Sequence, residues 1–286
     1  HDVVAGVRRL FGMRRVGHCG TLDPFATGVL VLCLGAYTRL SDWLGKGEKE
    51  YEAVFLLGAT SDTGDRMGRI EPSPEPLPAA EAVLQALEPF RGIIQQVPPA
   101  YSAVKVDGVR SYRLARNQQA VTLAPRTVEI GEIEVLENQP PRLRVRVRCS
   151  RGTYIRALAA DLGSALGCGG YVEELRRLRA GTLSAGDGYT FDQLREMAAT
   201  ERLDEALVPV DRALAQMRAW LLSPGEAQVF GHGGALRPAA GGLEDGEWAV
   251  YSENRLLGIG SAAAGSLRPL RVFAGQVVGV GVAGGA

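Results

Sequence analysis

The residues best suited to chemistry lie between Gly17 and Gly28, in the run Gly-His-Cys-Gly-Thr-Leu-Asp-Pro-Phe-Ala-Thr-Gly. Its glycines permit backbone conformations that other residues avoid, and Pro24 fixes its own φ and biases Asp23 towards an extended conformation. These restraints predict a rigid loop that holds the Asp23 carboxylate at a set angle beside an apolar strand starting at Val29. An Asp-Pro pair alone more often only initiates a turn, so the run has both a structural and a chemical interpretation.

Segment 98–126 combines cations with aromatic rings and is the second candidate for a functional role. The residues concerned are Lys105, Arg110, Arg113, Arg116, Tyr101 and Tyr112. Rings stack on unpaired bases while cations follow the phosphates, so this composition is typical of contact with splayed or single-stranded RNA.

The stretch 142–150 alternates arginine with apolar residues. In a β-strand alternate residues share a face, so the four guanidinium groups are expected on one side and the apolar side chains on the other. Such a face is either solvated or lines an RNA-binding cleft, and the sequence leaves both open. Further along, Arg176, Arg177 and Arg179 are equally compatible with packing, surface exposure and RNA contact.

Hydrophobic periodicity predicts the elements that position these residues. Asp2 is expected to cap a helix that runs through about Met13. The other elements predicted before residue 98 are a buried strand at Val29–Leu34, a short helix at Thr38–Leu44, a strand at Lys49–Gly58 and a helix at Ala79–Phe90. Helices are also predicted at Ile155–Leu166, Phe191–Ala198 and Asp211–Trp220. From Leu222 onward glycines separate short apolar runs, which is typical of a small β-domain.

Composition narrows the class of protein. The 286 residues include 32 basic and 32 acidic side chains, and only Lys46, Lys49 and Lys105 among the basic ones are lysine. Zero net charge does not exclude a nucleic-acid partner, because phosphate binding depends on where the cations lie. The longest apolar run, Val29–Leu34, is too short to span a bilayer, and no signal peptide precedes it. We therefore expect a cytoplasmic protein without a membrane partner.

Metal chemistry is not predicted. The four cysteines form no Cys-x-x-Cys pair, which favours a reducing compartment over a disulfide framework. A zinc-dependent nucleoside deaminase needs His/Cys/Cys ligands and a glutamate, and histidines only at His1, His18 and His232 cannot assemble that site. We expect neither a metal nor a cofactor.

The opening at His1, without a methionine, indicates that an N-terminal piece is missing.

The run from Gly17 to Gly28 resembles the catalytic loop of the bacterial tRNA pseudouridine-55 synthases of the TruB type, whose pattern is close to G-H-x-G-[TA]-L-D-P-x-A-T-G-x-L. Further matches to this family are K-x-Y at 49–51, S-A-x-K-x-x-G-x-x-x-Y-x-x-A-R at 102–116, C-S-x-G-T-Y-I-R at 149–156 and G-x-x-[AG]-x-x-x-x-L-R-R at 167–177. One departure is Asn117-Gln118-Gln119, where relatives have x-Gly, and it leaves the turn of this segment undefined.

The resemblance implies an α+β fold of the pseudouridine-synthase type, with a mixed, largely antiparallel sheet flanked by helices and a small C-terminal PUA-like β-barrel. It implies a catalytic domain at 1–215, with an RNA-contacting insertion at about 98–126, and a PUA-like RNA-binding domain at 216–286. The partner it implies is the T-arm stem-loop of tRNA. A monomer is our default expectation.

The same resemblance implies the site residues. Asp23 corresponds to the nucleophile, Arg156 to its cationic partner, and Tyr51 to an active-site tyrosine that stacks on the target base and takes part in proton transfer. The predicted substrate-binding residues are His18, which props the position vacated by a flipped base, together with Tyr154, Leu175, Lys105 and Arg116.

The predicted reaction is isomerisation of uridine to pseudouridine at position 55 in the T-loop of tRNA, which needs no redox change and no group donor. Attack of Asp23 on the ribose C1′ or on the base C6 is left open. A glycosidase-like enzyme would need a second carboxylate, and no candidate has a recognisable motif. The remaining alternative is a tRNA-binding or tRNA-folding protein without catalysis, but such a relative is expected to have lost the aspartate or its arginine.

Overall fold

The computed structural model describes residues 2–117, 119, 121–237, 243–273 and 280–285. The chain divides into two compact units. The first unit comprises residues 1–20, 30–46 and 181–285, and the second comprises 21–29 and 47–180. Each unit has apolar cores of its own.

The strands, in chain order, are β1 (Val16–His18), β2 (Thr27–Leu34), β3 (Lys49–Leu57), β4 (Ala59–Ser61), β5 (Ile70–Pro72), β6 (Gly92–Gln96), β7 (Lys105–Val106), β8 (Val109–Arg110), β9 (Arg126–Gln139), β10 (Arg142–Cys149), β11 (Gly170–Ala180), β12 (Leu183–Ser184), β13 (Leu207–Val208), β14 (Arg218–Leu221), β15 (Gly246–Ser252), β16 (Arg255–Ala263), β17 (Ser266–Val272) and β18 (Val280–Gly285).

The α-helices are α1 (Asp2–Leu10), α2 (Ser41–Leu44), α3 (Ala80–Leu87), α4 (Ser111–Arg116), α5 (Ile155–Ala165), α6 (Phe191–Ala199), α7 (Val210–Ala213) and α8 (Pro224–Gly231). Short 3-10 turns occur at Gly35–Leu40, Glu88–Phe90, Ala185–Asp187 and Leu203–Ala206. The predicted mixed α+β fold with a largely antiparallel sheet is confirmed. No helix in the described ranges is long and apolar enough to cross a membrane.

The sheet of the second unit has the order β6-β9-β10-β3-β11, with antiparallel neighbours throughout. The first residues of β2 add to it in parallel, with Thr27 and Gly28 opposite Arg176 and Arg177. One face of the sheet is apolar because strand residues alternate between faces. Helices α3 and α5 pack on this face, and α5 contributes the fully buried Leu158 and Leu162 to the core.

The opposite face of this sheet carries the arginine ladder, which we define as Arg142, Arg144, Arg146 and Arg148. Each of its members is ion-paired with glutamates on neighbouring elements, and the partners are Glu48, Glu50, Glu52, Glu132, Glu134, Glu173 and Glu174. The predicted alternation of faces is confirmed, and the guanidinium groups of the ladder are matched by carboxylates within the sheet.

The first unit contains α1, whose apolar stripe packs with α6 around Val7, Leu34 and Met197. The helix ends at Leu10 instead of continuing to Met13, and Asp2 is its first residue instead of its cap. Gly12 ends the helix because its φ of 60° is open to glycine at little cost. The amide of Met13 donates to the Arg8 carbonyl and that of Gly12 to the Arg9 carbonyl, which closes the last turn.

The predicted helix at Asp211–Trp220 is wrong. Helix α7 covers only Val210–Ala213, and Arg218–Leu221 forms β14, which pairs in parallel with β15. Pairing of Trp220 opposite Val250 supplies cross-strand packing that an isolated helix would lack, so tertiary context overrides the local pattern. The helix predicted at Ala79–Phe90 is α3 followed by a 3-10 turn, and Phe191–Ala198 is confirmed within one residue.

The C-terminal part of the first unit is a four-stranded sheet in the order β14-β15-β16-β17, and Leu236 pairs with Leu267 of its last strand. Its core contains the fully buried Phe230 and Val250. Residues 238–242 and 274–279 of the predicted PUA-like barrel lie outside the described residues, so its closure stays a prediction. The domain boundary at residue 216 also stays a prediction.

Candidate active site

The loop 21–29 belongs to the second unit and is fixed at several points. The amide of Ala26 donates to the carbonyl of Asp23 over 3.0 Å, which closes a turn around Pro24. Phe25 and Ala26 pack against the apolar core of the sheet. Gly28 has a φ of 94°, and a Cβ there would lie 2.1 Å from the backbone oxygen of Arg177, so only glycine fits.

Asp23 and Arg156 form a bidentate ion pair. Arg156 Nε donates to Asp23 Oδ2 and Nη2 donates to Asp23 Oδ1, both over 3.0 Å. The Asp23 side chain is 26% exposed, whereas that of Arg156 is only 5% exposed. A planar guanidinium that grips both carboxylate oxygens fixes the orientation of the carboxylate as well as its position. Asp23 therefore presents a carboxylate of defined direction to a partly open site.

The remaining donors of Arg156 fix the guanidinium in turn. Nη1 donates to the carbonyl of Thr63 over 2.7 Å, and Nη2 donates to the carbonyl of Tyr101 over 2.9 Å. These carbonyls come from the turn between β4 and β5 and from segment 98–126, respectively. Arg156 lies in the first turn of α5, so one buried side chain connects three separate parts of the unit to the Asp23 loop.

Asp65 is a second carboxylate against the same guanidinium, and the sequence interpretation missed it. Its Oδ2 lies 3.6 Å from Arg156 Nε, and its side chain is 8% exposed. Its Oδ1 accepts from Thr63 Oγ1 over 2.7 Å and from the Met67 amide over 2.9 Å. Asp65 lies in the polar, glycine-rich turn 59–69. An aspartate in such a turn is the signal that the sequence offers, but its partner Arg156 is distant in the chain.

Tyr51 and Leu175 lie on adjacent strands beside the Asp23–Arg156 ion pair. Tyr51 of β3 is opposite Arg177 of β11, and Leu175 is opposite Ala53. Tyr51 is partly buried, and Leu175 is buried. Burial raises the pKa of the Tyr51 phenol, the charge of Arg177 opposes this shift, and the charge of Asp23 adds to it. The phenol therefore stays protonated at neutral pH.

An open cavity of about 300 Å³ lies on the second unit next to the Asp23 loop. Phe25 and Thr27 from the loop, Ala53 and Leu175 from the sheet, and the side chain of Arg66 line part of it. The Arg66 guanidinium lies 5.8 Å from the centre of the Phe25 ring, within the range of a cation–π contact. The rest of its wall includes the charged residues Glu52, Glu174, Arg144 and Arg176, so the cavity combines apolar and charged side chains.

Tyr154 is held by its backbone. The amide of Gln96, a buried side chain, accepts from the Tyr154 backbone N–H over 2.8 Å and donates to its carbonyl over 3.1 Å. Gln96 was not predicted as a site residue, because nothing near it in sequence indicates this partner. By fixing the residue before α5, it helps to set where the helix that carries Arg156 begins.

Lys105 and Arg116 lie on the exposed surface of segment 98–126. The Arg116 guanidinium lies 5.7 Å from the centre of the Tyr112 ring. The segment is anchored through Ser111, whose amide donates to the Val104 carbonyl over 2.7 Å and whose hydroxyl donates to the Ala100 carbonyl. Gln118 of the predicted departure lies outside the described residues. The turn there stays undefined.

His18 belongs to the first unit, where it is the exposed last residue of β1, opposite Leu32 of β2. The structure thus collects Asp23, Arg156, Tyr51 and Leu175 in one compact unit and adds Asp65 to them. The catalytic and binding roles that the resemblance assigns to individual residues stay predictions. A metal-ligating cluster is absent from the part of the chain that the structure describes.

Two protein-family models match this chain and show its relatives. The TruB family pseudouridylate synthase N-terminal domain matches residues 8–155, and the tRNA pseudouridylate synthase B C-terminal domain matches residues 156–215. The chain belongs to the TruB family. The predicted family is therefore confirmed, over a range that includes both Asp23 and Arg156.

Curated TruB relatives cover nearly the whole chain. The tRNA pseudouridine synthase B of Ruegeria pomeroyi is 40% identical over 275 residues, which is 95% of this chain and 90% of the relative. The enzyme of the same name from Dechloromonas aromatica is 41% identical over 267 residues, covering 93% of this chain and 88% of the relative.

Solved structures support the TruB-type fold. A crystal structure of a Cbf5-Nop10-Gar1 complex contains a chain with a TM-score of 0.72 and 27% identity, covering 97% of this chain and 80% of that one. A chain in an H/ACA RNP bound to a substrate RNA containing 2′-deoxyuridine has a TM-score of 0.74 at 24% identity, covering 96% and 81%, and shows the fold alone.

The Asp65–Arg156 contact predicts strong coupling in stability. Replacing Arg156→Met leaves Asp65 buried without its cation and should cost about 3–5 kcal/mol of unfolding free energy. Asp65→Asn should cost less, and the double variant should lose less than the sum by about 1–3 kcal/mol, measured by urea unfolding.

The matched control is the exposed pair Arg69 and Glu71, whose side chains are 77% and 62% exposed. The cycle of Arg69→Met and Glu71→Gln should show no measurable coupling, because exposed pairs are weakened by solvent. Strictly additive losses for Arg156 and Asp65 would mean that the two side chains do not interact in solution.

Proposed function

We propose that this TruB-family chain isomerises uridine to pseudouridine in tRNA, at position 55 of the T-loop, with Asp23 as the nucleophile. The observation that best supports the proposal is the bidentate ion pair between Asp23 and the buried Arg156. Both residues lie in motifs of the family, and the geometry fixes the direction of the carboxylate and leaves it partly exposed to a substrate.

The reaction conserves atoms and electrons. The N1–C1′ bond of uridine breaks, the base turns, and a C5–C1′ bond forms while the C5 proton is lost and N1 gains a proton. A carboxylate nucleophile that bonds transiently to the substrate divides this rearrangement into two easier steps. Attack at C1′ or at C6 uses the same carboxylate. No redox partner or group donor enters the balance, so we propose that the enzyme works without a cofactor.

Tyr51 and Leu175 form the walls of the base site in this proposal. The Tyr51 ring stacks on the uracil, and its protonated phenol is available as a proton donor. Leu175 excludes water from one side of the base. Tyr154, the residue immediately before α5, borders the site on another side. Arg156 keeps its hydrogen bonds to Asp23 through the reaction, which preserves the direction of attack.

The T-arm stem-loop of tRNA is the proposed binding partner. The target uridine is stacked inside a folded loop, so it must be flipped out at a cost of a few kcal/mol. Lys105 and Arg116 of segment 98–126 contact phosphates, and His18 occupies the position that the base vacates. The Tyr101 carbonyl of the same segment accepts from Arg156, which connects RNA contact with the catalytic pair.

The organisation proposed for the whole chain follows the resemblance. Residues 1–215 form the catalytic domain, and residues 216–286 form a PUA-like barrel that binds RNA. We propose a monomeric, cytoplasmic enzyme, and light scattering of the purified chain reports its mass directly. A protein that binds or folds tRNA without catalysis would have no need of a buried arginine aimed at a partly exposed aspartate.

Asp23→Asn should abolish catalysis without abolishing binding. The amide keeps the shape of the carboxylate but is not a nucleophile, so single-turnover pseudouridine formation should fall below detection. The affinity for an unmodified tRNA transcript should stay within about 3-fold, since the ion pair contributes little to phosphate contact. Pseudouridine is mapped by chemical labelling and primer extension, without added metal.

Formation of pseudouridine at position 55 by the wild type alone would support both the reaction and the nucleophile. If both proteins bind tRNA and neither makes pseudouridine, the non-catalytic alternative replaces the proposal. Modification at another tRNA position would contradict the proposed target while retaining the reaction.

Lys105→Gln and Arg116→Gln should weaken tRNA binding through lost phosphate contacts. Each should reduce the slope of log affinity against log salt concentration by about 1, because fewer counterions are released. The matched control is Arg148→Gln in the arginine ladder, whose guanidinium is paired with Glu48 and Glu132. Its slope should equal that of the wild type. A change for Arg148 but not for Arg116 would place the RNA on the ladder face of the sheet.

A further inference from the structure

Arg177 is the largest fully buried side chain of the described residues, with a relative exposure of 1%. Burying a guanidinium is costly unless its donors are satisfied, so such a residue needs a physical explanation. Neighbouring Arg176 and Arg179 are both exposed, although they lie on the same strand. The burial of Arg177 is therefore a property of its position, not of the arginine-rich composition.

The side chain of Arg177 holds both ends of the Asp23 loop. Its Nε donates to the Val29 carbonyl over 2.8 Å, and its Nη1 donates to the Thr21 carbonyl over 3.2 Å. Thr21 lies two residues before Asp23 and Val29 six residues after it. A single planar group thus fixes the entry and the exit of the loop relative to each other.

The backbone of Arg177 holds the same loop from a second direction. Arg177 is opposite Gly28 in the parallel pairing of β11 with β2. The approach is so close that a Cβ on residue 28 would lie 2.1 Å from the Arg177 oxygen. Side chain and backbone of one residue therefore restrain three positions of the loop: Thr21, Gly28 and Val29.

Arg177 also contacts the other predicted catalytic side chain. It is opposite Tyr51 in the antiparallel pairing of β11 with β3. Burial raises the pKa of the Tyr51 phenol, whereas the charge and hydrogen bonding of the Arg177 guanidinium lower it. β-Bulges at residues 173 and 178 interrupt the register of β11 on either side of this pair. Bulges re-aim side chains near active sites, and here Leu175 and Arg177 share the buried face of the strand.

We propose that Arg177 is a positioning residue for pseudouridine formation, which keeps the Asp23 loop and the Tyr51 ring in a fixed relation. It acts through the loop backbone and the phenol, not by touching the reacting atoms. This inference rests on the proposed function for its kinetic part, while its structural part concerns the loop alone. Arg156 aims the Asp23 side chain, and Arg177 fixes the backbone that carries it.

The test compares Arg177→Met and Arg177→Lys with Arg179→Met, a matched control. Arg179 lies on the same strand, is exposed and forms an ion pair with Glu50. Methionine fills the volume but donates no hydrogen bonds. Lysine keeps the positive charge but lacks the planar guanidinium that donates to two carbonyls at once. Hydrogen exchange of peptides covering 21–29 reports the order of the loop, and single-turnover rates with the T-arm stem-loop report catalysis.

Arg177→Met should speed amide exchange in 21–29 by about 10-fold or more, because local opening becomes easier. Its single-turnover rate should fall by about 10- to 100-fold with the RNA dissociation constant within about 3-fold, since misplacement affects the transition state more than binding. Arg177→Lys should recover part of both losses. Arg179→Met should match the wild type in both.

Wild-type exchange in 21–29 together with a wild-type rate for Arg177→Met would overturn the proposal. If Arg177→Met does not fold, Arg177→Lys decides, and a wild-type loop and rate in that variant would show that only a buried charge is needed. Parallel losses of rate and RNA affinity would make Arg177 part of the binding surface instead. If the wild type itself makes no pseudouridine, the proposed function fails, and the exchange experiment still decides whether Arg177 orders the loop.

Discussion

The ion pair between Asp23 and Arg156 is the interaction on which the rest of the site depends. A carboxylate on a loop has many orientations, and bidentate contact with a guanidinium selects one of them. The guanidinium must itself be fixed, and burial together with the carbonyls of Thr63 and Tyr101 achieves this. Asp65 adds a second negative charge that stabilises the buried cation. The pair is therefore the meeting point of a loop, a helix, a polar turn and segment 98–126.

Two faces of one sheet separate packing from charge in the second unit. Alternation along β3 and β10 places the apolar side chains under α5, which fixes the helix that carries Arg156. The opposite face carries the arginine ladder with its glutamate partners. Exposed ion pairs of this kind contribute little to stability individually. Their effect is to balance the charge of a face that would otherwise be strongly cationic and attract phosphates without selectivity.

The sequence was most informative where function depends on neighbours along the chain. The Asp-Pro loop, the helix that follows Tyr154 and the strand that carries Tyr51 all lie where local patterns and the family resemblance predict them. Asp65, Gln96 and Arg177 were not predicted as site residues, because their partners are 91, 58 and up to 156 residues away in the chain. Such contacts exist only after folding, and no local pattern encodes them.

The same reasoning explains the errors in secondary structure. Two bulges break the alternation of β11, so residues 170–180 do not show the period-2 pattern of a strand, although this strand carries Leu175 and Arg177. In 211–220 a helical pattern covers a short helix and a strand, and pairing with β15 decides the outcome. Helix α1 ends at Leu10 because Gly12 adopts a positive φ. Helix α3 ends at Leu87, where a 3-10 turn that contains Pro89 begins. These are details of backbone geometry that periodicity alone does not resolve.

The most direct test of this account is the single-turnover rate of Arg156→Lys at saturating tRNA. Lysine keeps the positive charge beside Asp23 but cannot grip both carboxylate oxygens or reach the Thr63 and Tyr101 carbonyls together. If the direction of the carboxylate is what matters, the rate should fall by about 100-fold or more while tRNA affinity changes by less than about 3-fold. A rate close to that of the wild type would contradict the account, because charge alone would then suffice.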